Sequence, residues 1–396
     1  MKTVGYLWHS FYSGNLGVSA LSDANIQIVR DAMEKINSQE RVKHILFGPR
    51  GDRGFKVPSY LKDFEYVEVS SIRHFFSIRN KLESCDLVLD IGSGDSFSDI
   101  YGAKRFLKIC GLKLLCPQAK KKLIISPQTL GPFKSSWARL FARFAIHNCH
   151  KVFTRDEMSL ERMKSLVSKQ VFDEIELTTD VAFSLPKLTI EPESFAVVNN
   201  DNFNIGINVS GLLFYGGYNG RNQFGLKVDY PNLIKSILEK YSNKPNVKIW
   251  LIPHVYQINA PSFESDLDTA KLLKELYRET EIAPLFYDAR EAKTFISKMD
   301  IVLAARMHAA IAAVSTGTAC IPMGYSVKFE GLFNSLDYPY TLDLKTTSQA
   351  DSLSYVDSIF EKVEEVQSYA KQSSVIAQKK LALYRSAISE FISQEL

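Results

Sequence analysis

Nowhere in the 396 residues does an apolar run approach the roughly 18 residues a membrane-spanning helix needs, so no such span is expected. The five cysteines, Cys85, Cys110, Cys116, Cys149 and Cys320, sit singly in apolar surroundings and form no CxxC pair. That argues against a zinc cluster and for buried thiols in a reducing compartment. The net charge is only +4, too small to suggest a nucleic-acid partner, although it leaves room for an anionic small molecule. The first residues, MKTVGYLWHSFYSGN, turn polar after a short apolar stretch and do not read as a signal peptide. A cytoplasmic protein is expected; its basic helices leave open a visit to the inner face of the membrane. No short repeat or low-complexity tract is visible. A nucleotide fingerprint is weak, because Phe97 stands where the third glycine of GxGxxG would fall.

What is present is alternation. TVGYLW (3–8), KHILFG (43–48), CDLVLDIG (85–92), KLIISPQ (122–128), KVFTRD (151–156) and ELTTDVAF (176–183) read as strands. Apolar spacing predicts helices over 19–38, 72–83, 101–116, 135–148 and 158–168 between them. A polar, proline-containing stretch, 185–204, interrupts the pattern and marks a domain boundary. The pattern then restarts with strands NIGINVS (204–210), VKIWLIPH (247–254), PLFYD (284–288), DIVLAA (300–305) and ACIPMGY (319–325). Helices are predicted over 231–241, 265–280 and 291–298 and from His308 onward, and 351–392 reads as helix with a Lys/Glu-rich exposed face. The expectation is an α/β protein of two Rossmann-like domains, 1–190 and 200–345, followed by C-terminal helices in 346–396. A chain of this length and 45% hydrophobic content supports about two such cores. Ligands of two such halves usually sit in a cleft between them, at the carboxyl ends of the strands.

Unusual residues gather where strands end. GSGD (92–95) offers either a close backbone approach to a ligand or a glycine turn, with Asp95 and Asp99 near a helix start. SGNLGVSA (13–20), with Asn15, offers backbone N–H groups to an anion or hydroxyl, or a loop closed by Ser19 as N-cap. Gln128 in SPQTLGP could bond a sugar hydroxyl, although a structural turn is the weightier reading. In TRDEMS, Asp156 suits a helix cap, and Arg155, on the opposite strand face, has no apolar reason to be there. His254 ends a strand, where a structural histidine is the commoner case. The loop GLLFYGGYNGRNQFG (211–225) could fold over a ligand, with Tyr215 and Arg221 the residues to watch.

The sharpest signal is RMH. Arg306 and His308 share a face if the strand runs through them. If they open the helix, its positive end adds to Arg306. Either way, guanidinium and imidazole suit an anion that must also exchange a proton. Tyr325 and Lys328 follow the next strand end, and Lys328 could complete a cationic pocket.

In order and spacing over about residues 4–335, GNLG (14–17), DLVLDIGSGDSFSD (86–99), SPQTLGP (126–132), FTRDEMS (153–159), TTDVAF (178–183) and DIVLAARMHAAIAAVSTGTACIPMGYSVKFEG (300–331) resemble the polysaccharide pyruvyl transferase family. The closing segment is the most specific. Two departures stand out. Val18 follows Gly17 where an acidic residue is common. Ser210 stands where a second donor-binding arginine would be sought, leaving Arg221 to supply it. The resemblance implies a GT-B-like fold and transfer of a pyruvyl group from phosphoenolpyruvate to two hydroxyls of a sugar, in a surface polysaccharide or in its lipid- or nucleotide-linked precursor, releasing phosphate. No cofactor and no metal are called for. It implies Arg306 and His308 as donor-site residues; the chemistry of an imidazole makes His308 the expected proton-handling group, with Asp95 or Asp99 the next candidate, for activating the acceptor hydroxyl. Arg306, Lys328, Tyr325, Arg221, Asn15, Gln128, Arg155 and His254 would contact substrate. The rival reading is a GT-B glycosyltransferase using a nucleotide-sugar donor.

Overall fold

Parallel pairing throughout builds two sheets. The computed structural model describes residues 2–35, 42–49, 51, 56–69, 75–199, 201–257 and 262–395. The predicted helical residues 36–38 and 72–74 lie outside the described residues. The first sheet holds β1 (Lys2–Leu7), β2 (Val42–Gly48), β3 (Phe64–Glu68), β4 (Leu87–Asp90), β5 (Leu123–Gln128), β6 (Lys151–Thr154) and β7 (Ile175–Leu177) in the order β3-β2-β1-β4-β5-β6-β7. The second holds β8 (Phe203–Asn208), β9 (Val247–Leu251), β10 (Glu281–Ile282), β11 (Ile301–Ala304), β12 (Ala319–Gly324) and β13 (Leu342–Asp343) in the order β10-β9-β8-β11-β12-β13. Helices connect most of the consecutive strands, the crossover that parallel pairing favours. The central strands β4, β5, β11 and β12 are buried at every residue, which is why they read as largely apolar runs, with polar Asp90, Ser126 and Gln128 only toward the ends of β4 and β5.

The chain divides into two compact units. One is Met1–Ser13, Leu21–Leu185 and Ala377–Leu396; the other is Gly14–Ala20 and Pro186–Ile376. The 33-residue helix Val363–Glu395 therefore begins in the second unit and ends in the first. There its buried Tyr384 hydroxyl donates to Asn25 Oδ1 (2.6 Å) and lies 2.9 Å from Ser126 Oγ. The segment expected as separate C-terminal helices is thus partly built into the first core.

Some elements differ from expectation. The strand predicted at 284–288 is absent; pairing reaches only Glu281–Ile282 and the Ala283 N–H, and Pro284 has no N–H to continue it. ELTTDVAF is strand only to Leu177, and Asp180 then caps a 3₁₀ turn by accepting from the Ala182 N–H (2.9 Å). Edge strands β3 and β13 were not expected. The first, FEYVE, is only half-buried, and the second is two residues long, so neither carries a strong apolar signal.

Strand order reverses between β1 and β4 in the first sheet and between β8 and β11 in the second. Such switch points open a crevice at the carboxyl ends of the strands.

Candidate functional site

At the switch point of the second sheet the RMH segment does not continue the strand. Arg306 takes an extended conformation (φ −96°, ψ 129°) as N-cap of helix Met307–Ser315, and His308 is that helix's second residue. The Arg306 N–H donates to Asn208 Oδ1 at the end of β8 (2.8 Å), tying the two sides of the switch together. The guanidinium is then fixed by Asp266. Nη2 donates to Oδ1 (2.7 Å), and Nε lies 3.2 and 3.3 Å from the two carboxylate oxygens. Nη2 also reaches the Glu264 carbonyl (3.1 Å).

Asp266 is the residue that sequence reasoning missed. It opens helix Asp266–Leu276, where an acidic residue reads as an ordinary partner of the helix dipole. In the fold it is buried and accepts from four groups besides Arg306: the Gly211 N–H (3.0 Å), the His254 and Val255 N–H groups (3.2 and 3.1 Å) and Asn208 Nδ2 (3.4 Å). It thereby fixes the loops after β8, β9 and β11 at once. Burial opposes the charge on Arg306, but the adjacent Asp266 outweighs it and holds the guanidinium above its usual pKa. Asn208 was also missed, although a polar amide inside the run NIGIN asks for a buried partner.

The imidazole of His308 lies against Gly17. A Cβ on residue 17 would run into Nδ1 and stand 2.8 Å from Cγ, so only glycine fits. The GNLG loop is therefore part of this site. It is held there by an antiparallel bridge from Asn15 to Val255 and by the Leu16 N–H donating to the His254 carbonyl (3.1 Å). Its helix starts at Leu16, earlier than the Ser19 cap allowed for. Asn15 bonds the Gly17 N–H through Oδ1 (3.0 Å) and the Val18 N–H through its carbonyl (3.0 Å). These N–H groups are already paired, so the loop does not offer them as an anion nest.

His254 is buried, and burial first, then His308 and Arg306, push it down to about 3. It is neutral at ordinary pH and supplies no charge. Tyr325 and Lys328 follow β12, beside β11, with Lys328 in the first turn of helix Val327–Asn334. The Tyr325 ring stands 5.1 Å from Phe224, so the far end of the glycine-rich loop folds back onto it. Arg221 and Tyr215 are exposed on that loop. The Arg221 N–H is turned to Asn219 Oδ1 (3.0 Å). Ser210, in place of an arginine, is buried and caps the short helix Gly211–Phe214.

In the first unit, Gln128 is fully buried and donates through Nε2 to the Asp90 carbonyl (2.7 Å) and Oδ1 (3.2 Å). Its Oε1 would collide with a Cβ on residue 92. It braces the glycine turn from behind. Arg155, also buried, donates to Asp180 Oδ2 (2.6 Å) and Thr129 Oγ1 (3.1 Å). Thr129 in turn donates to Asp156 (2.9 Å), which caps helix Glu157–Leu166 through the Ser159 N–H (2.7 Å). The motifs SPQTLGP, FTRDEMS and TTDVAF thus knit into one polar network, and Arg155 works as its strut. Asp99 accepts from the N–H groups of Lys134 and Ser135 (2.8 and 2.9 Å) and from Ser135 Oγ (2.5 Å), which holds its carboxyl below the usual range although burial pulls the other way. Both its oxygens are engaged at the start of helix Ser136–His147. Asp95 is half-buried after β4 and accepts from the Tyr101 hydroxyl (2.6 Å).

Among the described residues no group of three or more His, Cys, Asp or Glu is placed to hold a metal ion, and no helix is long and apolar enough to cross a membrane.

A family model, Polysaccharide pyruvyl transferase, matches residues 28–327. The amylovoran biosynthesis protein AmsJ of Erwinia amylovora is 22% identical over 330 residues, covering 80% of this chain and 73% of AmsJ. In fold the chain is similar to the UDP-GlcNAc 2-epimerase of Neisseria meningitidis (TM-score 0.61, 13% identity, 98% of this chain and all of that one). It is likewise similar to sucrose-phosphate synthase of Thermosynechococcus elongatus (TM-score 0.58, 10% identity, 100% and 98%). The fold is that of the GT-B enzymes.

Proposed function

The chain belongs to the polysaccharide pyruvyl transferase family, and we propose that it moves a pyruvyl group from phosphoenolpyruvate to two hydroxyls of a saccharide destined for an exopolysaccharide. The observation carrying this reading is the pairing of a fixed guanidinium, Arg306, with an imidazole, His308, at a strand-end switch point. Phosphoenolpyruvate presents a carboxylate and a phosphate, and its methylene carbon must gain a proton.

In the reaction, a proton adds to the methylene carbon, leaving cationic character at C2. One sugar hydroxyl adds there and loses its proton. The C2–O bond to phosphate breaks, phosphate departs with the bonding pair, and the second hydroxyl closes the ketal and loses its own proton. His308 is the group assigned to the proton, since an imidazole serves as acid or base near neutrality. Arg306 acts as a positioned hydrogen-bond donor, because Asp266 cancels its charge. Lys328, with Arg221 from the loop, is then required to meet the charge of the donor. On the acceptor side Asp95 takes the role of base.

The test is phosphate release from phosphoenolpyruvate with a saccharide acceptor, together with calorimetric binding of phosphoenolpyruvate. His308→Ala should lose turnover by about 10²–10⁴-fold while binding the donor as wild type does. Lys328→Ala should lose donor affinity. If a nucleotide sugar bound and phosphoenolpyruvate did not, with saccharides present, pyruvyl transfer would be abandoned for glycosyl transfer.

A further inference from the structure

Helix Ser136–His147 buries its small residues and exposes its large ones. Ala138, Ala142 and Ala145 face the core, whereas Trp137, Leu140, Phe141 and Phe144 are 38, 62, 41 and 63% exposed. Their spacing, i, i+3, i+4 and i+7, places all four on one face. Helix Ala103–Leu115 packs beside it, the Phe106 and Trp137 rings meeting at 5.4 Å, and adds exposed Leu107 and Leu114. Only Trp137 of the four is seen to rest on the core, through Phe106, and interior packing does not explain why Leu140 and Phe144 are left mostly exposed.

Charge says what covers them. From residue 100 to residue 155 the chain has twelve Lys and Arg and not one Asp or Glu, in a protein whose total charge is +4. Lys104, Arg105, Lys134, Arg139 and Arg143 of this stretch are exposed on or beside the two helices. A second copy docked symmetrically on this face would set these cations against themselves. Aromatic and leucine side chains flanked by Arg and Lys instead match a bilayer interface, where rings enter the headgroup region and cations meet lipid phosphate.

We propose that this face of the first unit, centred on Leu140 and Phe144 and flanked by Arg139 and Arg143, docks on the surface of an anionic lipid bilayer. The proposal does not depend on the reaction, and its test needs no turnover. The chain has three tryptophans, and Trp8 and Trp250 are 5 and 4% exposed, so a change in emission on docking reports Trp137. The full chain is sedimented with vesicles of phosphatidylcholine alone and with vesicles that also contain phosphatidylglycerol, at low and high salt. Expected are co-sedimentation with the anionic vesicles, weakened by salt, and a blue shift of tryptophan emission that Trp137→Phe removes. Arg139→Gln with Arg143→Gln should weaken binding by about 25-fold, at roughly fivefold per charge. Leu140→Gln with Phe144→Gln should weaken it by about tenfold or more. All four side chains are exposed, so each variant should keep the wild-type unfolding midpoint. Lack of binding at low salt, equal binding to both vesicles, or binding without the emission shift would each overturn the proposal. So would a dimer in analytical ultracentrifugation that Leu140→Gln with Phe144→Gln dissociates, which would give the face to a second copy.

Discussion

Replacing Asp266 by Asn keeps the shape of the side chain and removes one charge. Its carboxylate is fully buried, and Arg306, its partner, is 16% exposed at the side chain. Breaking a buried pair by removing one partner costs about 3–5 kcal/mol, because the other charge stays desolvated. The partial exposure of Arg306 favours the lower end, about 3 kcal/mol. The amide adds to this: Oδ2 accepts from the His254 and Val255 N–H groups, and an NH₂ there would set donor against donor. At about 2–4 °C per kcal/mol for a unit of this size, the unfolding midpoint of the second unit should fall by about 6–12 °C. Calorimetry of Asp266→Asn, Arg306→Met and the double variant measures the effect. The double variant should recover most of the loss, since it leaves neither charge buried alone. A single-variant loss below about 1 kcal/mol, or a double variant no better than Asp266→Asn, would refute the reasoning, because the pair would then be worth no more than an exposed one.

Gly17→Ala should displace the His308 imidazole, and on the proposed mechanism phosphate release should fall toward the His308→Ala level while donor binding persists; wild-type turnover would remove the Gly17 contact from the mechanism. His9, His44 and His254 are buried, and burial is the first cause holding them at about 3, about 4 and about 3. Unfolding returns them to about 6.5, so from there down to about pH 4 the unfolded chain binds more protons, and stability rises with pH by up to about 1.4 kcal/mol per unit for each histidine. It is therefore complete above pH 6.5 and lost on acidification, and thermal unfolding at pH 5 should take up about three protons, measurable from calorimetry in buffers of different ionisation enthalpy; uptake near zero would contradict the burial. All five cysteines are free and buried, with the Cys85 and Cys110 thiols pushed up to about 12 and about 11 mainly by burial, so an aromatic disulfide reagent should modify none quickly in the native protein and all five in denaturant.

The parallel architecture was legible because both sheets are made of buried runs punctuated by helical spacing, and the switch-point strands β4 and β11 carry the clearest runs of all. Edge strands escaped, since β3 is half-buried and charged and β10 and β13 are two residues long. At the candidate site, Arg306 and His308 stood out because no core needs them there. Asp266 did not, because an acid in a first helical turn already has a sufficient explanation; its link to Arg306 spans 40 residues and no local pattern encodes it. Gln128 and Arg155 show the opposite difficulty. Each is a polar residue at a strand end, indistinguishable in sequence from a ligand contact, and each faces inward to a partner that only the folded register supplies.

The Arg306–Asp266 pair also changes how an anionic donor would be recognised. Outside residues 100–155, which carry +12, the chain is net −8, since the whole is +4. The unit holding Arg306 has no share in that basic stretch, all of which belongs to the first unit. A small anion cannot be drawn to Arg306 by a general positive field there, and the guanidinium itself is already neutralised. Recognition must rest on a few directed contacts at short range, which salt screens weakly. The basic face of the first unit would act over a longer range and should be salt-sensitive. Raising ionic strength should therefore separate the two functions: release from anionic vesicles should come first, while phosphoenolpyruvate binding, measured on the released protein, should persist.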